Sequence, residues 1–473
     1  MFGNATDGGC KYGPRRGVQK VEAMAPNTTL PSSMNVLPAD HPLRIALVCS
    51  RLPLPMTRAD QLTVAHLISF LAARGHALDL FTLDTGEKPT PEQRAWLDQR
   101  CRQLLVFRQP TARSIFGLIR AVAVGKPMQV GWFTNRAHIH AVRQAISLRQ
   151  YDVAYAYYIR SAEALRAVCP ADAEPDVGRP PTILGMQLSQ SLNTRRLAQN
   201  SGRLRDKIIY AVEQDLVRRY EANVWRDFFR TVLISERDAE EIRLACRERS
   251  VPEISNYVLS PHGVDTSRFR PRPDIDSDPA TLVFSGVMGT NTNIHAITWF
   301  AKNCWPRIRA EIPGVRLLIV GRRPASEVVR LAALDCAITV TGEVPDPAEY
   351  IVRATVCIDP VQIGAGMQNK LIEYMACGKA VVTTPVANEG INAISGTHLL
   401  EAAGPEAFAD AVVALLRNPE MRAALGMSAR EHIQRYWTWE KLFSALESEM
   451  LAMARGSQSR GSPRSLLSQR SCR

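Results

Sequence analysis

The sequence predicts an α/β protein built from two doubly wound parallel-sheet domains that face a central cleft. Three observations carry this. The chain has 473 residues with 46% hydrophobic content, too long for one ordinary core at roughly 150 residues per domain. Short apolar runs alternate with longer helical patterns, the signature of a parallel sheet covered by helices. The alternation also occurs twice, on either side of a proline-rich connection.

Residues 1–42 carry Gly, Pro, Asn, Thr and Ser without a period and end in P-A-D-H-P, so they read as a disordered extension. The first domain, 43–258, opens with I-A-L-V-C (45–49). Further strands are expected at 78–83, 104–107, 153–157, 182–184 and 231–235. The stretch from 257 to 279 contains S-P-H-G-V-D and a proline-rich segment, as an interdomain connection should. In the second domain, 259–436, strands are expected at 281–286, 316–321, 337–342, 354–359 and 380–384. A crossover helix over 437–454 follows, entered through Tyr436, Trp437 and Trp439, and 455–473 reads as a disordered basic tail. Two such sheets put the carboxyl ends of their strands on either side of one cleft, where open sheets bind ligands.

The ten cysteines are scattered singly, without a C-x-x-C pair or metal-like spacing to histidine, which fits a reduced cytosolic compartment. No basic stretch precedes an apolar h-region, and no run approaches the roughly 18 apolar residues that span a bilayer. A cytoplasmic protein is therefore expected, one that meets the inner face of the membrane peripherally. The formal net charge of +12 favours an anionic partner. Arginines and a lysine gather between Arg195 and Arg230, in helix-like sequence that serves either as a solvated face or as a docking site for anionic headgroups. Nucleic acid is not expected, since no zinc finger, RNP-like strand or basic zipper region appears.

The stretch G-A-G-M-Q-N-K-L-I-E-Y-M-A-C-G-K-A-V-V, residues 364–382, reads as loop, helix, turn and strand. Glycines at Gly364 and Gly366 let backbone approach a ligand, and the following helix offers free N–H groups and a positive dipole end to an anion. Lys370 and Glu373 fall on one face near the start of that helix, a cation for pyrophosphate and a carboxylate for ribose hydroxyls. An ordinary amphipathic helix with an i, i+3 ion pair is the alternative. The lack of G-x-G-x-x-G after residues 45–49 argues against a dinucleotide oxidoreductase.

At these residues the chain resembles the retaining glycosyltransferases of family four, whose two Rossmann-like domains form the GT-B architecture. Within the family it is most similar to sugar transferases of bacterial exopolysaccharide and exosortase loci. The resemblance runs over about 43–453. Besides 364–382 it rests on F-S-G-V-M-G-T-N-T-N-I-H-A (284–296), I-V-G-R-R-P (319–324), T-G-E-V-P-D (341–346), S-P-H-G-V-D (260–265) and E-A-N-V-W (221–225). It implies that Gly366, Asn369 and Lys370 meet the donor phosphates, Glu373 the ribose, and the loop at Val344 and Asp346 the base. It further assigns Gly286, Arg322, Gly364 and Met367 to the donor site. The implied function is transfer of a hexosyl group, with retention, from a nucleotide sugar to an exopolysaccharide or lipid-linked cell-envelope acceptor. The nucleotide sugar is a substrate, and neither a cofactor nor a metal is expected. A general base would come from first-domain loops, where Asp60, Arg160 and Glu163 are the candidates.

The chain departs from the family pattern at several points. Ala365 stands at the first of two usual glutamates, Gln362 replaces a cation before the glycines, and Ala59 replaces a glycine. The segment at 184–193 keeps Ser191 and Asn193 but lacks its usual acids. A catalytically weak scaffold that binds nucleotide sugar is accordingly the alternative, and an epimerase of the same fold a third.

Overall fold

The computed structural model describes residues 30–31, 34, 36, 38–56, 58–148, 151–166, 179–200, 204–363 and 367–460. Thirteen strands are assigned among them. The first seven are β1 (Arg44–Cys49), β2 (Ala77–Asp84), β3 (Gln103–Arg108), β4 (Val153–Tyr157), β5 (Thr182–Gln187), β6 (Arg230–Leu233) and β7 (Tyr257–Leu259). They form one parallel sheet in the order β3-β2-β1-β4-β5-β6-β7. The others are β8 (Thr281–Ser285), β9 (Arg316–Val320), β10 (Ile338–Gly342), β11 (Val356–Asp359), β12 (Val381–Thr383) and β13 (Leu400–Glu401). These form a second parallel sheet, ordered β10-β9-β8-β11-β12-β13. All eleven expected runs became strands. β7 and β13 were not foreseen, being short and, for β7, lying inside the expected connection.

The central strands explain why the runs are continuous rather than alternating. β4 and β8 are buried along their whole length, as strands covered by helices on both faces must be. In each sheet the strand order reverses beside the first strand, between β1 and β4 and between β8 and β11, which opens a crevice beyond their carboxyl ends.

Two chain crossings join the halves, and they pack on each other. Val264 N–H donates to the Trp437 carbonyl at 2.9 Å, and a side chain at Gly263 would bring a Cβ to 2.8 Å from Trp439 N. Thr63 Oγ1 lies 2.8 Å from His262 Nδ1, tying the connection to the helix Ala59–Ala73. The crossing helix, Trp439–Arg460, returns to the first domain, where Trp439, Phe443, Leu446 and Met450 enter the core beneath β1. It runs six residues beyond the expected end at 454. At the other end, Leu30, Met34 and Val36 pack against the same core, and Ala39 N–H donates to the Arg74 carbonyl. Part of the stretch expected to be a disordered extension is thus ordered, because it covers apolar surface; residues 1–29 and 461–473 lie outside the described residues.

Candidate functional site

A cleft of about 390 Å³ opens between the two sheets, lined from both halves of the chain. Its floor on the second-domain side is the switch point between β8 and β11. The turn after β8 places Gly286 at φ +147°, and Gly321, after β9, at φ +148°. A Cβ on Gly321 would sit 1.7 Å from the Gly286 carbonyl oxygen, so two backbones touch where no side chain fits. Across the switch point, β11 leads to the helix Asn369–Ala376, whose start carries no side-chain cap. Its free N–H groups and dipole end therefore face the recess of about 340 Å³ formed with Gly286, Asn293 and Gln368. Asn369 borders both cavities, and its Oδ1 is buried without a hydrogen-bond partner. Gly364 and Gly366 lie outside the described residues.

Lys370 lines the recess but is not idle. Its Nζ lies 3.4 Å from Asp359 Oδ1, 3.0 Å from Gln368 Oε1 and 5.2 Å above the Phe284 ring. Asp359 is fully buried at the end of β11, and burial raises its pKa even though Lys370 opposes the shift. Glu373, one turn further on, lines the main cleft; burial pushes it up to about 7, against the pull of Arg268 and Lys370. The i, i+3 Lys370–Glu373 pair of the alternative reading does not form; Lys370 pairs with Asp359, because the strand end lies closer to the ammonium than the next turn does.

The other expected donor residues divide. Arg322 and Val344 line the cleft. Asp346 does not: it accepts from Arg268 Nε at 3.2 Å, Arg272 Nη2 at 2.8 Å and the Ala348 N–H at 3.2 Å, capping the helix Pro347–Arg353. Met367 packs against the second-domain core, with Gly390 pressed against its backbone. Among the cleft residues given no role in the sequence reading are the titratable His66, Asp265, Arg268 and Glu343. His66 stacks on Trp439 at 4.9 Å, its Nδ1 is buried without a partner, and burial lowers its pKa to about 4. Trp439 comes from far along the chain, so no local signal marks His66.

The candidate first-domain acid–base group is also divided. Asp60 and Arg160 meet at the switch point between β1 and β4, 3.2 Å apart, with Arg51 Nη1 3.3 Å from the same carboxylate oxygen. Arg160 stacks on Tyr158 at 4.1 Å and Phe133 at 4.9 Å. Both residues border narrow recesses rather than the main cleft. Glu163 is committed elsewhere, accepting from Lys126 Nζ at 2.5 Å, Arg166 Nη1 at 2.9 Å and Tyr220 Oη at 2.7 Å. Two acids from elsewhere in the chain reach the segment 184–193. Glu221 accepts from the Gln190 and Ser191 N–H groups, and Asp238 accepts from Ser189 N–H at 2.7 Å. Among the described residues, no group of three or more His, Cys, Asp or Glu side chains is placed to hold a metal ion.

Residues 279–418, which hold the glycine cradle, Lys370 and Glu373, match the family described as glycosyl transferases group 1. The second half of the chain is thus similar to the group 1 glycosyl transferases. A GDP-mannose-dependent alpha-(1-6)-phosphatidylinositol monomannoside mannosyltransferase of Mycobacterium tuberculosis is 28% identical over 41% of the chain and 55% of its own length. The chain thus spans about half the length of that curated relative. An uncharacterized 44.6 kDa protein in the cps region of Klebsiella pneumoniae is 18% identical over 86% of the chain and 99% of its length. Among solved structures, Anabaena Alr3699/HepE, in complex with UDP and glucose, superposes with a TM-score of 0.57, covering 86% of this chain and all of its own at 14% identity. The fold is therefore GT-B, two Rossmann-like halves about one cleft.

The basic stretch of the first domain is largely ion-paired. Arg195 meets Glu241, Arg218 meets Glu248, Arg219 meets Asp215 and Arg230 meets Glu449. Much of its charge is therefore neutralised within the fold. No helix among the described residues is long and apolar enough to cross a membrane.

Proposed function

We propose that this protein transfers a hexosyl group from a nucleoside-diphosphate sugar, with retention, to a saccharide or lipid-linked acceptor of the cell envelope. The observation that carries this reading is the cradle at the second switch point: Gly286 against Gly321, the uncapped start of Asn369–Ala376, and Lys370 beside it. A diphosphate would lie on the glycine backbone and the helix N–H groups, with Lys370 exchanging its Asp359 contact for a phosphate oxygen. Glu373 would accept from the ribose hydroxyls, with the base beside Val344. The likeness to a GDP-mannose-dependent enzyme and to a fold solved with UDP and glucose supports a nucleotide-sugar donor. The same mannosyltransferase supports a lipid-linked acceptor, and the cps-region relative an envelope polysaccharide.

In a retaining transfer the leaving diphosphate takes up the acceptor proton on the face where it departs, so no protein nucleophile is needed. The chain's part is to hold the two substrates and neutralise charge. Asp60 and Arg160 would orient the acceptor from the opposite wall. The scaffold reading draws on Ala365, Gln362 and the diversion of Glu163 into ion pairs. Calorimetry with a panel of GDP- and UDP-sugars, followed by release of free sugar, separates these readings. Binding with slow donor hydrolysis is expected; binding without hydrolysis would leave a scaffold, and no binding to any donor would end the proposal.

A further inference from the structure

The helix Thr111–Ala123 is built inside out. Its inward positions, Ser114, Gly117, Leu118 and Ala121, follow one face at spacings of three and four, and all but the half-buried Leu118 are small. At Gly117 the packing is so close that a Cβ would stand 2.3 Å from the Gly131 carbonyl oxygen. The other large apolar residues point the other way: Phe116 is 67% exposed, Ile119 61% and Ile115 49%, with Val122 and Val124 continuing the stripe. A helix that covered only its own core would be arranged in reverse, since apolar side chains are worth most when removed from water.

The surroundings of the stripe are basic. Arg113 and Arg120 flank it on the same helix, and Arg108 ends the preceding strand. The helix Leu204–Val224 lies close by, because its Glu213 accepts from the Met128 and Gln129 N–H groups of the short helix on which Thr111–Ala123 rests. Its first half also exposes apolar side chains, Leu204, Ile208 and Val212, beside Lys207 and beside Arg205, which pairs with Asp206. A second copy of the chain would set these cations against one another. An anionic lipid surface satisfies both the apolar stripe and the positive rim.

We propose that the outward face of Thr111–Ala123 inserts into the interfacial region of an anionic membrane and docks the first domain there. The inference rests on the reading of a membrane-delivered acceptor, and its geometry leads to the acceptor side of the cleft. Just past the helix, Lys126 holds Glu163, and Glu163 borders the same recess as Arg160 and Phe133. An acceptor headgroup entering from the bilayer would therefore meet the first-domain wall.

The test is flotation of the full chain with vesicles of equimolar phosphatidylglycerol and phosphatidylcholine, compared with phosphatidylcholine alone. Binding to the anionic vesicles is expected. F116S with I119S should weaken it by at least about tenfold, because each buried apolar side chain contributes substantially to interfacial affinity. R113Q with R120Q should weaken it at low salt and make the remaining binding less sensitive to salt. Both pairs of residues are exposed, so unfolding temperature and hydrolysis of soluble donor should not change; a wild type that floats with anionic vesicles but hydrolyses no donor would count against the transfer reading and leave this face assigned. Equal vesicle binding by F116S/I119S and wild type would overturn the proposal. So would a wild-type dimer in sedimentation velocity that the same substitutions dissociate, which would assign the face to a second copy.

Discussion

At the scale of single residues, the site turns on two side chains whose settings differ from those of a bare amphipathic helix. Lys370 is buried and already shares Asp359, so its charge is held in place before any ligand arrives. Lys370→Ala should weaken donor binding and turnover by at least about tenfold, since a charge-assisted contact is worth roughly 1.5–3 kcal/mol and helix N–H groups cannot replace a full charge. Calorimetry and steady-state kinetics on the folded variant measure this. Glu373 brings a pH dependence. Its folded pKa of about 7 stands above the ordinary 4.5, so the folded state holds the proton more tightly than the unfolded one. The stabilisation it contributes is complete below about 4.5 and is lost as pH rises through about 7. A ribose hydroxyl donating to the carboxylate favours the ionised form, so donor affinity should rise over the same interval. In Glu373→Gln both dependences should flatten, in thermal unfolding and in titration, with binding of free sugar phosphate less affected than that of intact nucleotide.

At the scale of elements, the cradle depends on two loops that end strands and meet backbone to backbone. Gly321 combines φ +148° with a Cβ position 1.7 Å from the Gly286 oxygen. Gly321→Ala should destabilise the second domain by more than about 2 kcal/mol, because the strain and the clash fall on rigid backbone. Chemical denaturation followed through second-domain fluorescence would read the loss. Tryptophans at Trp299 and Trp305, packed near Phe300 and Phe408, supply the signal.

At the scale of the whole molecule, the two domains are joined by crossings that share one aromatic stack. His66, Trp439 and Phe443 stack in series, and His262 meets Trp439 edge-on. Glu447 further down the helix takes Arg74 at 2.9 Å and His76 at 2.7 Å. Arg237 of the first domain pairs with Glu389 of the second. Because Trp439 borders the cleft and fills the first core at once, Trp439→Ala should cost about 3–5 kcal/mol and lower the unfolding temperature. It should also weaken donor binding, which substitution of a purely internal residue such as Leu446 would leave nearly unchanged. Scanning calorimetry with and without donor compares the two variants.

Much of this architecture was legible in order along the chain. Parallel strands buried on both faces are written as continuous apolar runs, so 45–49, 153–157, 281–286 and 354–359 announced themselves. The helix from Asn369 was marked by the glycines before it and by Lys370 and Glu373 on one face. What the chain order could not carry was pairing between distant segments. Asp359 against Lys370, Arg272 against Asp346, Lys126 against Glu163 and Glu241 against Arg195 each join residues whose partners are chosen by the packing of the sheets. The orientation of Thr111–Ala123 belongs with them, since its apolar stripe reads as a core face until Gly117 is found against Gly131. Sequence by itself determined the two series of parallel strands and the helix from Asn369, because these follow from local periodicity and backbone freedom. Only the tertiary structure decided which charges remain available and which apolar face is left to solvent, because burial and ion pairing depend on neighbours brought together by folding.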